Sequence, residues 1–160
     1  MKTPVSKKQK SVFKPGKGKT WADKLSPDKK PEVKRNDKGF ADIPPGGIML
    51  IATPKIVDDY VRQIPKGKSV SLQTMRKDLA TEFKAEYTCP VTAGIFLRIV
   101  CEAANEQLEK GVALKNITPY WRVVDEHSTI GKKLSFGSEF LKKQREREGL
   151  SAKPVNKMKK

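Results

Sequence analysis

Few side chains in this 160-residue chain have the types and spacing that chemistry demands. It holds two cysteines, Cys89 and Cys101, and one histidine, His127. The cysteines are too few for a disulfide framework and lack zinc-type spacing. A single imidazole leaves no second one for a metal cluster, so neither a metal nor a cofactor is expected. Cys89 stands just before Pro90, where a helix should begin, and a helix N-terminus favours the thiolate. It is therefore an alternative nucleophile, or else an ordinary cap or buried side chain. Cys101 lies inside an apolar helical pattern and reads as core. The remaining constellation is "ITPYWRVVDE", residues 117–126, which sets Tyr120 beside Trp121 directly after a proline. The two aromatics either pack as core or wall a pocket.

The elements that must position these residues can be read from caps, breakers and periodicity. Pro119 forbids a helix through it, and Trp121, Val123 and Val124 favour a strand. "GIMLI", residues 47–51, is a short apolar run, a strand or buried extended chain. A helix should follow with Thr53 as N-cap and Pro54 in its first position, burying Ile56, Val57, Tyr60, Val61 and Ile64. A second should start after Ser71, with Leu72, Met75, Leu79 and Phe83 on one stripe. A third starts at Thr88 or Cys89, carries Pro90 in its first turn and ends at Gly111; Ile95, Phe96, Ile99, Val100, Ala103 and Leu108 supply its buried side. Two helices joined by a short link form the helix-turn-helix pattern, which any small helical bundle also resembles. "DEHSTIGKKLSFG" reads as a loop. "SEFLKKQREREGL" reads as a closing helix capped by Ser138, with Gly149 just past its end.

The formal net charge is +16 and it is unevenly spread. Residues 1–42 hold 13 Lys/Arg against five Asp/Glu, and residues 151–160 hold four lysines and no acid. Residues 1–45 are rich in Lys, Pro and Gly with little apolar periodicity, so a disordered basic tail is expected there. Phe13, Trp21 and Leu25 within it are too sparse for a core, and a short docking motif is the alternative. Residues 151–160 read as a second basic tail, which leaves residues 46–150 as the domain. Such tails attract polyanions, or merely keep the chain soluble. No apolar run approaches the roughly 18–20 residues of a membrane span, and no signal-peptide stretch follows the basic N-terminus. A cytoplasmic protein without a membrane partner is expected.

The order of these segments resembles the C-terminal domain of the alkylguanine-DNA alkyltransferases (the methylated-DNA–protein-cysteine methyltransferase family) and their non-enzymatic relatives, the alkyltransferase-like proteins. "VDDYVRQIPKGKSVSLQTMRKDLA" is similar to the family's helix, its "IP.G.V" segment and the first helix of its DNA-binding pair. "TAGIFLR" is placed like the recognition helix, "ITPYWRVV" like the motif usually read "PCHRV", and "QREREGL" like the closing glutamate–glycine segment. The resemblance spans about residues 48–150. It implies a mainly α, winged-helix-type DNA-binding domain with a little strand. In those enzymes the cysteine of "PCHRV" takes the alkyl group and the histidine helps remove its proton. Tyr120 and Trp121 hold those two places. A phenol with a pKa of about 10 is a poor substitute for a thiolate, and indole has no basic nitrogen. Glu148 matches the glutamate that steadies the histidine.

The resemblance thus implies a monomeric, non-catalytic protein that binds duplex DNA, senses or flips an alkylated base and hands it to excision-repair proteins, close to the nucleoid. A nucleic-acid or partner-binding scaffold that kept the fold without flipping is the alternative reading, and an active methyltransferase is a third. The sequence departs from the family where the finger arginine aligns with Val91 and the nucleotide-rotating tyrosine with Leu72. An apolar Val91 can still wedge between bases. Tyr120, Trp121, Ser135, Phe136 and Glu148 are the expected base pocket. Leu72, Gln73, Arg76, Lys77, Val91, Thr92, Gly94, Arg98 and Arg122 are the expected DNA contacts. For Arg122 a structural role is the alternative; for the helix residues, a solvated face.

Overall fold

The computed structural model describes residues 20–25 and 29–150. The tail expectations for residues 1–19, 26–28 and 151–160, Phe13 among them, lie outside the described residues. Within them the chain is mainly helical with a small three-stranded sheet. The order is α1 (Trp21–Leu25), β1 (Glu32–Asn36), β2 (Gly47–Ile51), α2 (Pro54–Arg62), α3 (Leu72–Glu82), β3 (Tyr87–Thr88), α4 (Pro90–Glu109), α5 (Thr129–Lys133) and α6 (Glu139–Arg147). Short 3-10 turns occupy Leu114–Asn116 and Tyr120–Arg122. No helix among the described residues is long and apolar enough to cross a membrane.

Thr53 and Ser71 cap where the sequence places them, whereas Cys89 and Ser138 hold the N-cap positions of α4 and α6 without a side-chain cap hydrogen bond. Thr53 accepts a hydrogen bond from the Ile56 N–H and Ser71 from the Thr74 N–H, each satisfying a donor that a helix start leaves unpaired. Pro54 and Pro90 open α2 and α4, where the missing N–H costs nothing. α4 runs through the middle of the molecule. Ala93, Leu97, Val100, Cys101 and Ala104 form its buried stripe, at spacings of three and four residues. Around it pack Leu50 of β2, Val57 and Val61 of α2, Met75 and Leu79 of α3, and Leu141 of α6. In the sheet, β1 pairs antiparallel with β2, Val33 opposite Leu50, and β2 pairs parallel with β3, Met49 beside Tyr87. Ile43, Met49 and Cys89 close a second, smaller core on the sheet.

Four expectations are corrected. Residues 1–45 are not uniformly a tail, since they contain α1, β1 and the Phe40–Ile43 bridge. The folded unit therefore begins upstream of residue 46. α1 escapes notice because it is one turn long; Glu106 of α4 accepts its Trp21 and Ala22 N–H groups. β1 escapes because nearly all its residues are exposed, which leaves no alternation to read. "PYWRVV" is a tight turn rather than a strand. Tyr120 N–H bonds the Thr118 carbonyl, and the Val123 and Val124 N–H groups both return to the Tyr120 carbonyl. Backbone groups satisfied that locally need no neighbouring strand. Residues 125–137, expected as a loop, contain α5, capped by Ser128. Lastly, the link between α3 and α4 runs over residues 83–89 and includes β3, longer than the three or four residues of a tight helix-turn-helix.

Candidate functional site

The turn after Pro119 drives two aromatic rings inward. Tyr120 is 0% exposed and Trp121 3%. The Tyr120 ring meets Trp121 edge-on at 5.3 Å and Phe136 at 6.1 Å, and Trp121 meets Phe140 at 6.3 Å. Among the described residues both aromatics belong to the packed core, where a pocket wall was expected. The Tyr120 hydroxyl is buried without a hydrogen-bond partner. Burial, reinforced by the nearby Cys101 thiol and Glu102 carboxylate, pushes the phenol well above its ordinary pKa. A neutral, enclosed phenol has no nucleophilic role.

Glu148 gathers the groups around that turn. Its carboxylate accepts the Trp121 indole N–H at 2.8 Å, the Arg122 Nε at 2.9 Å and the second Arg122 nitrogen at 2.8 Å. The Gly67 N–H adds a longer bond at 3.2 Å. Arg122 also donates to the Ile64 carbonyl at 2.7 Å, and Arg145 to the Trp121 carbonyl at 2.7 Å. Burial alone would raise the Glu148 carboxyl. The hydrogen bonds from Arg122, Trp121 and Gly67, with the attraction of the Arg122 charge, outweigh it and bring the pKa down to about 2. Arg122 thus braces the fold and is not displayed as a DNA contact.

Ser135 and Phe136 lie against this cluster but are held by α4. Ser135 donates through its backbone N–H and its hydroxyl to the buried Glu102. Arg98 pairs with the same carboxylate at 3.4 Å and lies 6.0 Å from the Trp21 ring. At 7% exposure and paired with Glu102, Arg98 is not displayed to a phosphate, which corrects its expected role as a DNA contact and the alternative of a solvated face alike. Arg76 is also engaged. Its fork grips Asp42 at 3.0 and 2.9 Å and the Thr88 carbonyl at 3.1 and 2.9 Å, while Thr88 Oγ1 donates back to the Arg76 carbonyl. Leu72 packs partly against the main core.

What remains outside is the first half of α4 with the exposed side of α3. Val91 is 51% and Ile95 42% exposed, four residues apart and hence on one face. Ile95 corrects the expected buried stripe, which is rotated toward Ala93 and Leu97. Gly94 has open space where a Cβ would stand. Thr92 is half-buried, its hydroxyl without a partner. Gln73 and Lys77 are exposed on α3. Cys89 is buried against Ile43 and Met49, so it offers no accessible thiol, and burial raises the Cys101 thiol well above its ordinary value. His127 is exposed beside Glu126 at 3.8 Å. Among the described residues no group of His, Cys, Asp and Glu is arranged to hold a metal ion.

Three acids that sequence reasoning passed over organise the site: Asp42, Glu102 and Glu106. Glu102 and Glu106 carried a signal, lying on α4 at intervals of four after Arg98. Asp42 carried none. No family model, curated protein or solved structure matches the chain.

Proposed function

We propose that the protein binds duplex DNA without catalysing a reaction on it, through a winged-helix-type arrangement of α3, α4 and the sheet. The observation that carries this reading is the outward face of α4. A helix with Val91, Gly94 and Ile95 turned to solvent, beside Gln73 and Lys77 of α3, suits insertion into a groove. A net charge of +16 supplies long-range attraction to a polyanion. The resemblance to alkyltransferase-like proteins supports it further. Tyr120, Trp121 and Glu148 converge, and Trp121 makes to Glu148 the hydrogen bond that a histidine makes in the enzymes. Tyr120 and Trp121 supply neither the thiolate nor the imidazole that alkyl transfer uses in those enzymes.

Sensing an alkylated base is the finer form of this proposal, with excision-repair proteins receiving the lesion and a monomer sufficient to bind it. It requires the Leu134–Gly137 segment, pinned by Glu102, to lift from Tyr120. The complete burial of Tyr120 favours the second reading, a scaffold that kept the fold and binds without sampling bases. One paired titration tests all three layers: matched duplexes with and without a single alkylguanine, followed by intact-mass analysis of the protein. Binding without an adduct is expected. Preference for the alkylated duplex supports sensing, equal affinity the scaffold. A covalent alkyl adduct, or no binding at low salt, overturns the proposal.

A further inference from the structure

The segment upstream of the resemblance is mounted on the proposed DNA-binding face. Four connections fix the β1–β2 hairpin there. β3, which leads directly into α4, pairs with β2. The Cys89 N–H, at the cap of α4, bonds the Leu50 carbonyl at 2.9 Å. Ile43 of the hairpin loop packs on Met49 and Cys89. Asp42 of the same loop takes both terminal nitrogens of the Arg76 fork from α3, and that guanidinium holds its carboxyl below the ordinary range. Asp42 of the loop, Gln73, Arg76 and Lys77 of α3, and Glu86, Tyr87 and Thr88 at β3 line one cavity of about 330 Å³.

The hairpin carries charge it does not use internally. Lys29, Lys30, Lys34, Arg35 and Lys38 are all exposed. Residues 32–42 hold three acids beside these cations: Asp42 is occupied by Arg76, Glu32 lies 3.9 Å from Lys34 in an exposed pair worth little, and Asp37 is exposed in the turn next to Lys38. Arg35 makes one long bond, 3.4 Å, to the Gly46 carbonyl. In the sheet order β1-β2-β3, β1 is the outer strand, two strand spacings or about 10 Å from β3. A helix seated in a groove of duplex DNA has a phosphate ridge running along each side of it.

We infer that the β1–β2 hairpin is a second, electrostatic arm of the DNA interface, in which Lys34, Arg35 and Lys38 contact the phosphate ridge flanking the groove that α4 enters. This rests on the proposed DNA binding and assigns the sheet's outer strand and its turn a specific target within it, the phosphate backbone. Arg76 and Asp42 form the hinge pin: they spend an arginine on orientation, so that three other cations meet the backbone together.

The test uses the full chain and a fluorescein-labelled duplex of about 20 base pairs, titrated at several salt concentrations. The triple variant Lys34→Ala/Arg35→Ala/Lys38→Ala should retain the wild-type far-UV circular dichroism and melting temperature. Its log–log salt slope should fall by about 2–3, since each phosphate contact contributes roughly 0.9, and its affinity at low salt should drop at least about tenfold. Lys110→Ala/Lys115→Ala serves as control: Lys110 caps the far end of α4, about 28 Å along the helix from Val91, and Lys115 lies in the 3-10 turn that follows. It should leave the slope unchanged. Wild-type binding with the same slope in the triple variant overturns the arm, as does an equal fall in the control, which would mean bulk charge alone. Absence of wild-type binding instead removes the DNA-binding proposal beneath it.

Discussion

Glu148→Gln isolates the network under the Tyr120 turn. The glutamate side chain is 6% exposed and receives four donors, two of them from one guanidinium. Its pKa stands at about 2 against an ordinary 4.5. At about 1.36 kcal/mol per unit, that difference corresponds to about 3 kcal/mol of stability. Because the folded-state value is depressed, the contribution is complete above the unfolded value of 4.5 and disappears as pH falls through about 2. Glutamine keeps the shape but offers one acceptor oxygen, and it turns an NH₂ group toward donors. It should therefore forfeit most of that energy wherever the wild-type carboxylate is ionised, a loss of about 3 kcal/mol at pH 7.

The assay is urea unfolding of both proteins between pH 7 and pH 2.5. Other carboxyl groups titrate in both chains and cancel in the difference. The gap between wild type and Glu148→Gln should be about 3 kcal/mol at pH 7 and should narrow steadily below about pH 4.5. A gap below about 1 kcal/mol at pH 7 would refute the network's weight, since exposed pairs contribute no more than that. A gap that stays constant down to pH 2.5 would refute the assignment of the effect to the carboxylate charge.

Tyr120→Phe removes a buried hydroxyl that has no partner, so thermal unfolding should show it within about 1 kcal/mol of wild type or more stable, while Tyr120→Ala should lose about 3–5 kcal/mol. A loss above about 2 kcal/mol in the phenylalanine variant would mean the hydroxyl is bonded after all. Gly131→Ala should destabilise by at least about 1–3 kcal/mol, because the added Cβ would run into the Asp125 carbonyl. Glycine-to-alanine in a free helix position would instead gain up to about 1 kcal/mol, so the sign of the change decides.

The helices that carry the domain were legible because caps and breakers act locally. Thr53 with Pro54, Ser71, and Pro90 after Cys89 each fix a helix start through groups within three residues. The failures share a cause: each element missed is satisfied by something distant in sequence. The N–H groups of α1 find their acceptor 84 and 85 residues away in Glu106. β1 exists because β2 offers it an edge, not because its residues alternate. The site divides the same way. That Tyr120 and Trp121 lack a nucleophile and a base follows from side-chain chemistry alone. That the rings are closed in depends on Glu148, Glu102 and Phe136, and no local pattern announces such a convergence.

The division of labour between the two kinds of cation narrows what the exposed surface can do. The chain has 27 lysines and seven arginines. Five of those arginines are engaged by the fold, Arg62 at its surface and the others within it: Arg62 with Asp58, Arg76 with Asp42 and the Thr88 carbonyl, Arg98 with Glu102, Arg122 with Glu148, and Arg145 with the Trp121 carbonyl. The planar fork suits that work, because one side chain can satisfy a carboxylate and a carbonyl together in fixed geometry. The same fork reads a guanine edge when it is free, which these five are not. Lysine is left to meet solvent, and its compact, mobile charge suits phosphates of any sequence. Binding by such a surface should depend steeply on salt and weakly on base sequence. If the chain binds DNA as proposed, discrimination falls to the few uncharged groups displayed on α4, Val91, Gly94 and Ile95, whose contacts would depend on groove shape and on how readily base pairs part.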